Sequence, residues 1–218
     1  MAKIQWAGQS CFSISVSNSK DHSADIVIDP FDESYGLKPP KFSADITLVT
    51  HEHKDHNNVK ALKGGAFVIN GPGEYEVKGV FVQGISSFHD DEEGKKRGQN
   101  TIYVFEAEGI RFCHLGDFGE KQLSDEQLEK IDSVDVLMIP VGGTYTIDSQ
   151  GAQKVISQIE PLVAIPMHYA LPNLNIKLDS VDKFLKTMGK NKIEPVDKFT
   201  VKASTLPKDT MEIVVLQP

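Results

Sequence analysis

The chain has 218 residues, 39% of them hydrophobic and 25% charged, which is the composition of a soluble globular protein with a sizeable core. A formal net charge of −8 argues against broad, non-specific nucleic-acid binding, because such binding needs an electropositive surface. Cys11 and Cys113 are the only cysteines, and no segment reaches the roughly 18 apolar residues of a membrane span. We therefore expect a single cytoplasmic domain over residues 1–218, with no disulfide framework and no membrane partner.

The first third of the chain has the alternation that is typical of half-buried antiparallel strands. Apolar residues alternate with polar ones over residues 4–6 and 12–16, and a third strand over 26–28 ends at Asp29-Pro30. Residues 31–43 form a proline-rich loop. Of the seven histidines, only His22 is expected to be purely a surface residue, because it lies in a polar stretch.

The middle of the chain continues in short strands separated by turns. A buried strand over residues 46–49 is followed by a short helix through Val59 and Leu62. The remaining pattern predicts strands over 67–69, 74–77, 80–82, 101–105 and 110–114, with an exposed loop over 90–99.

The second half alternates helices with buried strands. Ser124 and Gln127 form a capping-box pattern, so a helix begins there. The pattern then predicts a strand over 134–139, a helix over 152–159, a strand over 162–165, a helix over 181–188 and a strand over 211–216. Both halves run from antiparallel strands into strand–helix units, which suggests a duplicated α/β architecture.

The chemistry is concentrated directly after the strand over 46–49. Four metal-ligand residues follow within six positions: His51, His53, Asp55 and His56. Alternate residues of an extended chain share a side, so the first three face one way and His56 faces another. Ligands of one ion must lie closer together than extended neighbours do, so this loop must curl around its ligands. Imidazole and carboxylate together suit zinc, manganese or iron.

Further ligand residues stand at or just beyond other predicted strand ends. These are His89, His114, Asp117 and His168. Ligands gather at strand ends in open α/β sheets, so these residues are candidates to converge with the loop over 51–56. Together they would complete two coordination shells.

This arrangement resembles the metallo-β-lactamase superfamily. The likeness rests on His51-x-His53-x-Asp55-His56 followed by later His, Gly-Asp and His elements, and it extends from Gly8 to His168. The sequence closely resembles the branch of small bacterial and archaeal metal-dependent hydrolases that carry His-Leu-Gly-Asp and Pro-Val-Gly-Gly, which stand here at 114–117 and 140–143. The resemblance implies a four-layer αβ/βα sandwich with two mixed sheets, outer helices and a site along one edge.

The resemblance also implies two ligand sets. One metal would be held by His51, His53 and His89, the other by Asp55, His56 and His168, and Asp117 would bridge them. The sequence departs from the lactamase and glyoxalase pattern at Ser87-Phe88-His89-Asp90, where Gly-His-Thr is usual, and this leaves His114 as a rival for His89. His89 begins a glycine-bearing loop that can aim its ring, whereas His114 is held in a strand. We predict that His89 is the ligand and that His114 orients Asp117 or a bound water.

The expected activity is hydrolysis by a hydroxide that two divalent ions activate, with zinc favoured over manganese or iron. Asp55 and Asp117 are the predicted catalytic carboxylates. The favoured substrate is a small anionic ester, lactone or phosphodiester. A nucleic-acid phosphodiesterase and a non-hydrolytic metal-binding or redox module are the alternatives. The sequence leaves the oligomeric state open, a homo-oligomer included.

Substrate contacts are predicted at two places near the ligands. Lys95, Lys96 and Arg97 form either a solvated turn or a phosphate grip at the mouth of the site. Thr144 and Tyr145, which follow Gly142-Gly143, are candidate hydrogen-bond donors there. Cys113 is expected to be a small buried residue and not a nucleophile.

Overall fold

The computed structural model describes residues 1–19 and 22–218, and the side chains of all of these except 18, 19 and 22. The expected surface position of the His22 side chain therefore lies outside the described residues. Within the described ranges the strands are β1 (Ala2–Gly8), β2 (Cys11–Ser19), β3 (His22–Ile28), β4 (Ile46–Leu48), β5 (Phe67–Ile69), β6 (Gly73–Val77), β7 (Val80–Phe88), β8 (Gln99–Ala107), β9 (Ile110–His114), β10 (Val136–Pro140), β11 (Val163–Met167), β12 (Phe199–Val201) and β13 (Glu212–Ile213). The α-helices are α1 (Asp125–Ile131), α2 (Ser149–Ile159) and α3 (Val181–Thr187), and short 3-10 helices span Glu33–Tyr35, Val59–Ala61 and Ala203–Thr205.

The strands form two mixed sheets. The first has the order β12-β1-β2-β3-β4-β5, antiparallel as far as β3 and parallel from β3 to β5. The second has the order β13-β11-β10-β9-β8-β7-β6, parallel from β13 to β9 and antiparallel beyond it. The predicted sandwich of two mixed sheets is confirmed. Each sheet also passes from antiparallel to parallel pairing, as the two halves of the sequence indicate.

One hydrophobic core joins the two sheets. It contains Ile14 and Ile26 of the first sheet together with Phe105 and Phe112 of the second, all of them fully buried. Strand β1 buries alternate residues, as its sequence predicts, because one of its faces meets this core. Strands β10 and β11 are buried along their whole length, as parallel strands that are covered on both faces must be.

Helices α1 and α3 begin where the sequence indicates, whereas α2 begins at Ser149, three residues before the expected start. Ser124 caps α1, and its capping box with Gln127 is complete in both directions. Helix α2 is capped by Asp148, and its buried face contains Ala152, Val155, Ile156 and Ile159. None of the helices in the described ranges is both long and apolar enough to cross a membrane.

Four further details differ from the sequence prediction. The loop expected to be exposed over 90–99 begins with the buried Asp90, which bonds to the loop's own backbone, and its last residue already belongs to β8. The helix expected through Val59 and Leu62 is only a single 3-10 turn over Val59–Ala61, which contains no buried residue to anchor a longer helix. Strand β12 was not predicted, because its three residues carry no clear period and pair only with the edge of β1. The strand expected over 211–216 is regular only over Glu212–Ile213.

The topology directs several strand ends to one edge. Strand β8 is antiparallel to both of its neighbours, so β7 runs in the same direction as β9, β10 and β11. In the first sheet, β3 and β4 are also parallel to each other. The residues that follow β7, β9 and β11 therefore leave the second sheet at the same edge.

Candidate metal centre

The loop after β4 curls, as its ligand spacing requires. The backbone N–H groups of His56 and Asn57 both donate to the carbonyl oxygen of His53, at 3.0 and 3.1 Å. The ring centroid of His51 consequently lies 4.0 Å from that of His56 and 4.6 Å from that of His53. The turn thus brings side chains of opposite strand faces to a common point.

Asp117 is the point on which three histidines converge. Its Oδ2 atom lies 3.3 Å from Nε2 of His89, 3.3 Å from Nε2 of His168 and 3.4 Å from Nε2 of His56. His89 directly follows β7, His168 directly follows β11, and Asp117 comes three residues after β9. The convergence therefore follows from the parallel direction of these three strands.

The residues form overlapping groups whose candidate ligand atoms lie within 4.8 Å of one another. Those groups are His51, His53 and His89; His51, His56 and Asp117; and Asp55, His56 and His168. All seven of the ligands predicted from the sequence are thus brought together. The first and third groups have the composition of the two predicted ligand sets, and Asp117 lies between them.

Glycines allow the ligand loops to approach each other closely. A Cβ atom on Gly142 would stand 2.1 Å from the carbonyl oxygen of His168, and one on Gly119 would stand 2.4 Å from the carbonyl carbon of His89. Such distances are too short for any side chain. The backbones of the two ligands can take these positions only because glycine faces each of them.

A buried aspartate holds the 51–56 loop in place through hydrogen bonds. Asp29, at the end of β3, accepts hydrogen bonds from the backbone N–H of Thr50 at 2.8 Å and from the Thr50 hydroxyl at 2.7 Å. It also accepts one from Nδ1 of His56 at 2.9 Å. Its side chain is fully buried, so these donors satisfy a carboxylate that water does not reach.

These bonds fix which nitrogen of each ring carries the proton. The only proton of the Thr50 hydroxyl goes to Asp29, so the hydroxyl oxygen accepts from Nδ1 of His51, 3.0 Å away. His51 therefore presents the lone pair of Nε2. In His56 it is Nδ1 that carries a proton toward Asp29, because a carboxylate can only accept, and Nε2 is the nitrogen that remains for a metal. Nε2 of both rings is buried and has no hydrogen-bond partner among the described residues.

His114 has no nitrogen left for a metal. Its Nδ1 accepts a hydrogen bond from the backbone N–H of Gly116 at 3.1 Å, and its Nε2 donates to the carbonyl oxygen of Ser10 at 2.9 Å. The ring is fully buried. It supports the turn that carries Asp117, which agrees with the orienting position predicted from the sequence.

Asp117 is itself held on two sides. The Ser10 hydroxyl donates to its Oδ1 at 2.9 Å, and its backbone N–H donates to Oδ1 of Asn100 at 3.0 Å. The Asn100 amide in turn donates to the carbonyl oxygen of Leu115 at 2.9 Å. Oδ1 is thus occupied by Ser10, while Oδ2 faces the histidines.

The electrostatics of the cluster are set by burial and by the close carboxylates. Burial, followed by the neighbouring His56, lowers the pKa of His51 to about 2. Burial opposes the charged form of His56, but the carboxylates of Asp117, Asp29 and Asp55 together raise its pKa well above the ordinary value. Burial alone would raise the pKa of Asp117, yet His168 and His56 hold it well below its usual range. The Asp117 carboxylate is thus kept ionised in a buried site, where a cation would compensate its charge.

The donor set and its spacing fit divalent metal ions. Two ligand atoms about 2.0–2.1 Å from one tetrahedral zinc ion lie roughly 3.3–3.4 Å apart. Oδ2 of Asp117 stands at 3.3–3.4 Å from the Nε2 atoms of His56, His89 and His168. The buried Nε2 atoms of His51 and His56, which have no hydrogen-bond partner among the described residues, supply further lone pairs. Imidazole and carboxylate ligands in this geometry suit zinc and neighbouring transition metals.

A cavity of about 550 Å³ opens over the cluster. Its lining includes the ligand residues His53, Asp55, His89, Asp117 and His168, and also Tyr35, Arg97 and Tyr145. Lys95 and Lys96 are exposed and do not line it, and Lys96 pairs instead with Glu92. Thr144 lines a neighbouring cavity and contributes its carbonyl oxygen to Arg97. Of the five predicted substrate contacts, the structure therefore places Arg97 and Tyr145 at the site.

Several residues of the site were not found from the sequence. Asp29 and Ser10 have a weak signal, since each stands at the end of a predicted strand or in the turn beside one. Asn100 and Tyr35 have none, because their roles depend on distant contacts. Tyr35 reaches the cavity from the 3-10 helix over Glu33–Tyr35, where burial and the nearby Asp55 carboxylate raise its pKa to about 12.

Comparison with known proteins finds a matching family profile, related sequences and a similar solved structure. A family profile described as "Beta-lactamase superfamily domain" matches residues 3–168. Two proteins named UPF0173 metal-dependent hydrolase, from Thermoplasma acidophilum and Alkaliphilus metalliredigens, are each 31% identical to the chain, over 77% and 85% of it and over 83% and 93% of their own lengths. A crystal structure of a metallo-β-lactamase superfamily protein from Thermotoga maritima is 37% identical, with a TM-score of 0.79, and the match covers 99% of this chain and 98% of that one.

Proposed function

The chain belongs to the metallo-β-lactamase superfamily and is a metal-dependent hydrolase, and on that premise we propose that it works with two divalent ions, zinc being favoured. His51, His53 and His89 would hold one ion, and Asp55, His56 and His168 the other. Asp117 would bridge them. The substrate would be a small anionic ester, lactone or phosphodiester in the cytoplasm.

The observation that carries this proposal is the position of Oδ2 of Asp117. It stands at ligand-to-ligand distance from His89 of one set and from His56 and His168 of the other. One carboxylate oxygen can be equally close to both sets only if the two sites adjoin. This favours a bridged pair over a single ion.

Bound divalent ions supply Lewis acidity, which lowers the pKa of water toward neutrality and stabilises the negative charge that develops during hydrolysis. The protein supplies position. Ser10 holds the carboxylate of Asp117 and Asn100 holds its backbone N–H, while Asp29 holds His56 and, through Thr50, His51. Asp55 lines the cavity, where a carboxylate oxygen can accept a hydrogen bond from the attacking water and orient it.

The volume of the cavity and the net charge of the protein favour a small substrate over a nucleic acid. A cavity of about 550 Å³ lies within the range of small-molecule sites, which is roughly 300–1,000 Å³. The net charge of −8 opposes a long polyanion. A small anion, in contrast, can be attracted by the local positive charge of the metals.

The test is a hydrolysis screen with the metal content controlled. The protein is stripped with a chelator, reloaded with zinc, manganese or iron, and assayed against chromogenic carboxylic esters, lactones, phosphodiesters and a single-stranded RNA. We expect cleavage of a small ester, lactone or phosphodiester that depends on zinc or manganese and is lost in His56→Ala. RNA cleavage as the leading activity would support the nucleic-acid alternative. Oxygen uptake by the iron form, without any hydrolysis, would support the redox alternative.

A further inference from the structure

We propose that Arg97 binds an oxyanionic group of the substrate, a carboxylate or a phosphate, that is remote from the bond to be cleaved, and that Tyr145 holds its guanidinium in place. The proposal rests on the proposed function, because this group must enter the same cavity as the metals. It makes Arg97 a specificity-determining residue. It also assigns the substrate class as esters with a second, distal oxyanion.

The backbone of Arg97 is fixed relative to a metal ligand. The carboxylate of Asp90, the residue after His89, accepts hydrogen bonds from four backbone N–H groups of the following loop. The donors are Glu92, Gly94 and Lys96, each at 2.9 Å, and Arg97 at 2.7 Å. The loop is closed by the N–H of His89, which donates to the carbonyl oxygen of Gly98 at 3.1 Å. The segment is therefore a rigid ring and not a freely moving solvated turn.

The side chain of Arg97 is also held. Its Nη2 donates to the carbonyl oxygen of Thr144 at 3.2 Å, and its guanidinium carbon lies 5.5 Å from the centre of the Tyr145 ring. A cation–π contact of this kind stabilises a guanidinium next to the ring. Arg97 and Tyr145 both line the cavity that His89 and Asp117 line. The charge is thus preorganised at the wall of the site, which reduces the entropy that binding must overcome.

The charge of Arg97 is not neutralised by the protein. Among residues 1–19 and 22–218, no carboxylate oxygen lies within 4.0 Å of its guanidinium nitrogens. Asp90 is bound to its backbone N–H and not to its side chain. Arg111, in contrast, is paired with Glu106. A half-buried guanidinium that is held by two contacts and keeps free donors matches a planar or tetrahedral oxyanion, which it can bind through two parallel hydrogen bonds.

Lys54 is the other cation at this cavity, and it is a weaker candidate. It lines the same cavity, but its side chain is exposed, and no hydrogen bond or ion pair positions it within the described residues. An ammonium group on a flexible stem attracts anions without selecting their geometry. Selection for a distal oxyanion is therefore expected from Arg97.

The binding experiment uses zinc-loaded protein and a matched series of ligands. Butyrate offers one carboxylate, glutarate adds a distal carboxylate, and 4-phosphonobutyrate adds a distal phosphonate; succinate and adipate vary the length. Dissociation constants are measured by calorimetry for the wild type, Arg97→Gln, Arg97→Lys and the control Lys121→Gln. Lys121 is an exposed residue near the same loop that does not line the metal cavity, so its loss changes the net charge equally.

We expect at least one distal oxyanion to improve affinity over butyrate in the wild type, and Arg97→Gln to reduce that advantage about tenfold or more. Arg97→Lys should restore only part of it, because lysine keeps the charge without the planar fork. Lys121→Gln should retain the full advantage. The preferred ligand of the series distinguishes a carboxylate from a phosphate. Thermal stability of Arg97→Gln, measured in parallel, reports any purely structural effect.

A kinetic experiment distinguishes the anion site at Arg97 from the proposed hydrolytic function. The p-nitrophenyl monoesters of succinate, glutarate and adipate are compared with p-nitrophenyl butyrate, and Arg97→Gln should lower kcat/KM more for the charged esters than for the neutral one. If neither these esters nor the lactones and phosphodiesters of the hydrolysis screen are cleaved, but the ligand series still depends on Arg97, the proposed function fails and the anion site stands. If neither the affinity ratios nor the kcat/KM ratios change in Arg97→Gln, the anion site is refuted whether or not the enzyme is active.

Discussion

Oδ2 of Asp29 and Nδ1 of His56 lie 2.9 Å apart, and both side chains are fully buried. This contact joins the ends of two parallel strands, because Asp29 follows β3 and His56 lies in the turn after β4. It directs Nε2 of His56 toward Oδ2 of Asp117, 3.4 Å away. The geometry of the ligand cluster thus depends on a carboxylate that does not itself face the cavity.

The first prediction concerns this carboxylate. Asp29→Asn replaces one acceptor oxygen by an NH₂ donor, so it cannot accept all three of the hydrogen bonds that Asp29 receives from the Thr50 N–H, the Thr50 hydroxyl and Nδ1 of His56. Loss of such a partner typically costs 10–100-fold in metal affinity. A titration against a chromogenic chelator should show this loss in Asp29→Asn, whereas the exposed control Asp91→Asn should bind like the wild type. Wild-type affinity in Asp29→Asn would show that the Asp29 contact is unimportant for the site.

The second prediction separates the two central histidines. His89→Ala removes a residue 3.3 Å from Oδ2 of Asp117, and it should lose one ion or most of the affinity for it. His114→Ala removes a ring whose nitrogens both bind protein groups, and it should weaken activity about 10–100-fold while both ions stay bound. The metal content of the purified variants is the measurement. A full complement of metal in His89→Ala beside a depleted His114→Ala would reverse the assignment.

The third prediction concerns the close approach of two backbones. Gly142→Ala would place a Cβ atom 2.1 Å from the carbonyl oxygen of His168, so the two loops must separate. Overpacking of this kind costs roughly 1–3 kcal/mol, and it would also displace His168. Urea unfolding and metal titration should both detect the change. Gly71→Ala is the control, since nothing lies within 4 Å of the place that its new Cβ atom would take, and it should stay within about 0.5 kcal/mol of the wild type.

The fourth prediction concerns the two thiols. Cys11 and Cys113 are fully buried. Burial is the main cause that raises the pKa of each thiol well above its ordinary value. The reactive thiolate is therefore scarce and shielded at pH 8. A chromogenic disulfide reagent should leave both thiols of the native protein unmodified and should react with both after unfolding in guanidinium. Rapid reaction of a native thiol would show that the core around it opens.

The sequence predicts those parts of the site that local patterns determine. The ligands after β4 share one short segment, and the others stand at strand ends, where alternation and apolar runs locate them. The support of the ligands is different. Asp29 and its partner His56 are 27 positions apart in the sequence, and Arg97 and Tyr145 are 48 positions apart. Neither contact therefore produces a periodic pattern in the sequence. Both depend on which strands become neighbours.

The same distinction between local sequence patterns and distant contacts applies to the fold. Helix α1 was predicted from its capping box and β9 from its apolar pattern, because both signals are contained within a few residues. Strand β12 has three residues and is formed by its pairing with β1, far away in the chain. The short 3-10 turn at Val59–Ala61 has the composition of a helix but no buried face. In both places the tertiary environment overrides the local preference.

We propose above that one chain holds two adjacent divalent ions. Elemental analysis of protein stripped with a chelator, reloaded with zinc and freed of excess metal tests it most directly. We predict close to two zinc ions per wild-type chain, and a clear loss in a variant that lacks the bridging carboxylate, Asp117→Ala. A wild-type protein that binds no transition metal after reloading, or that saturates at a single ion, would contradict the account.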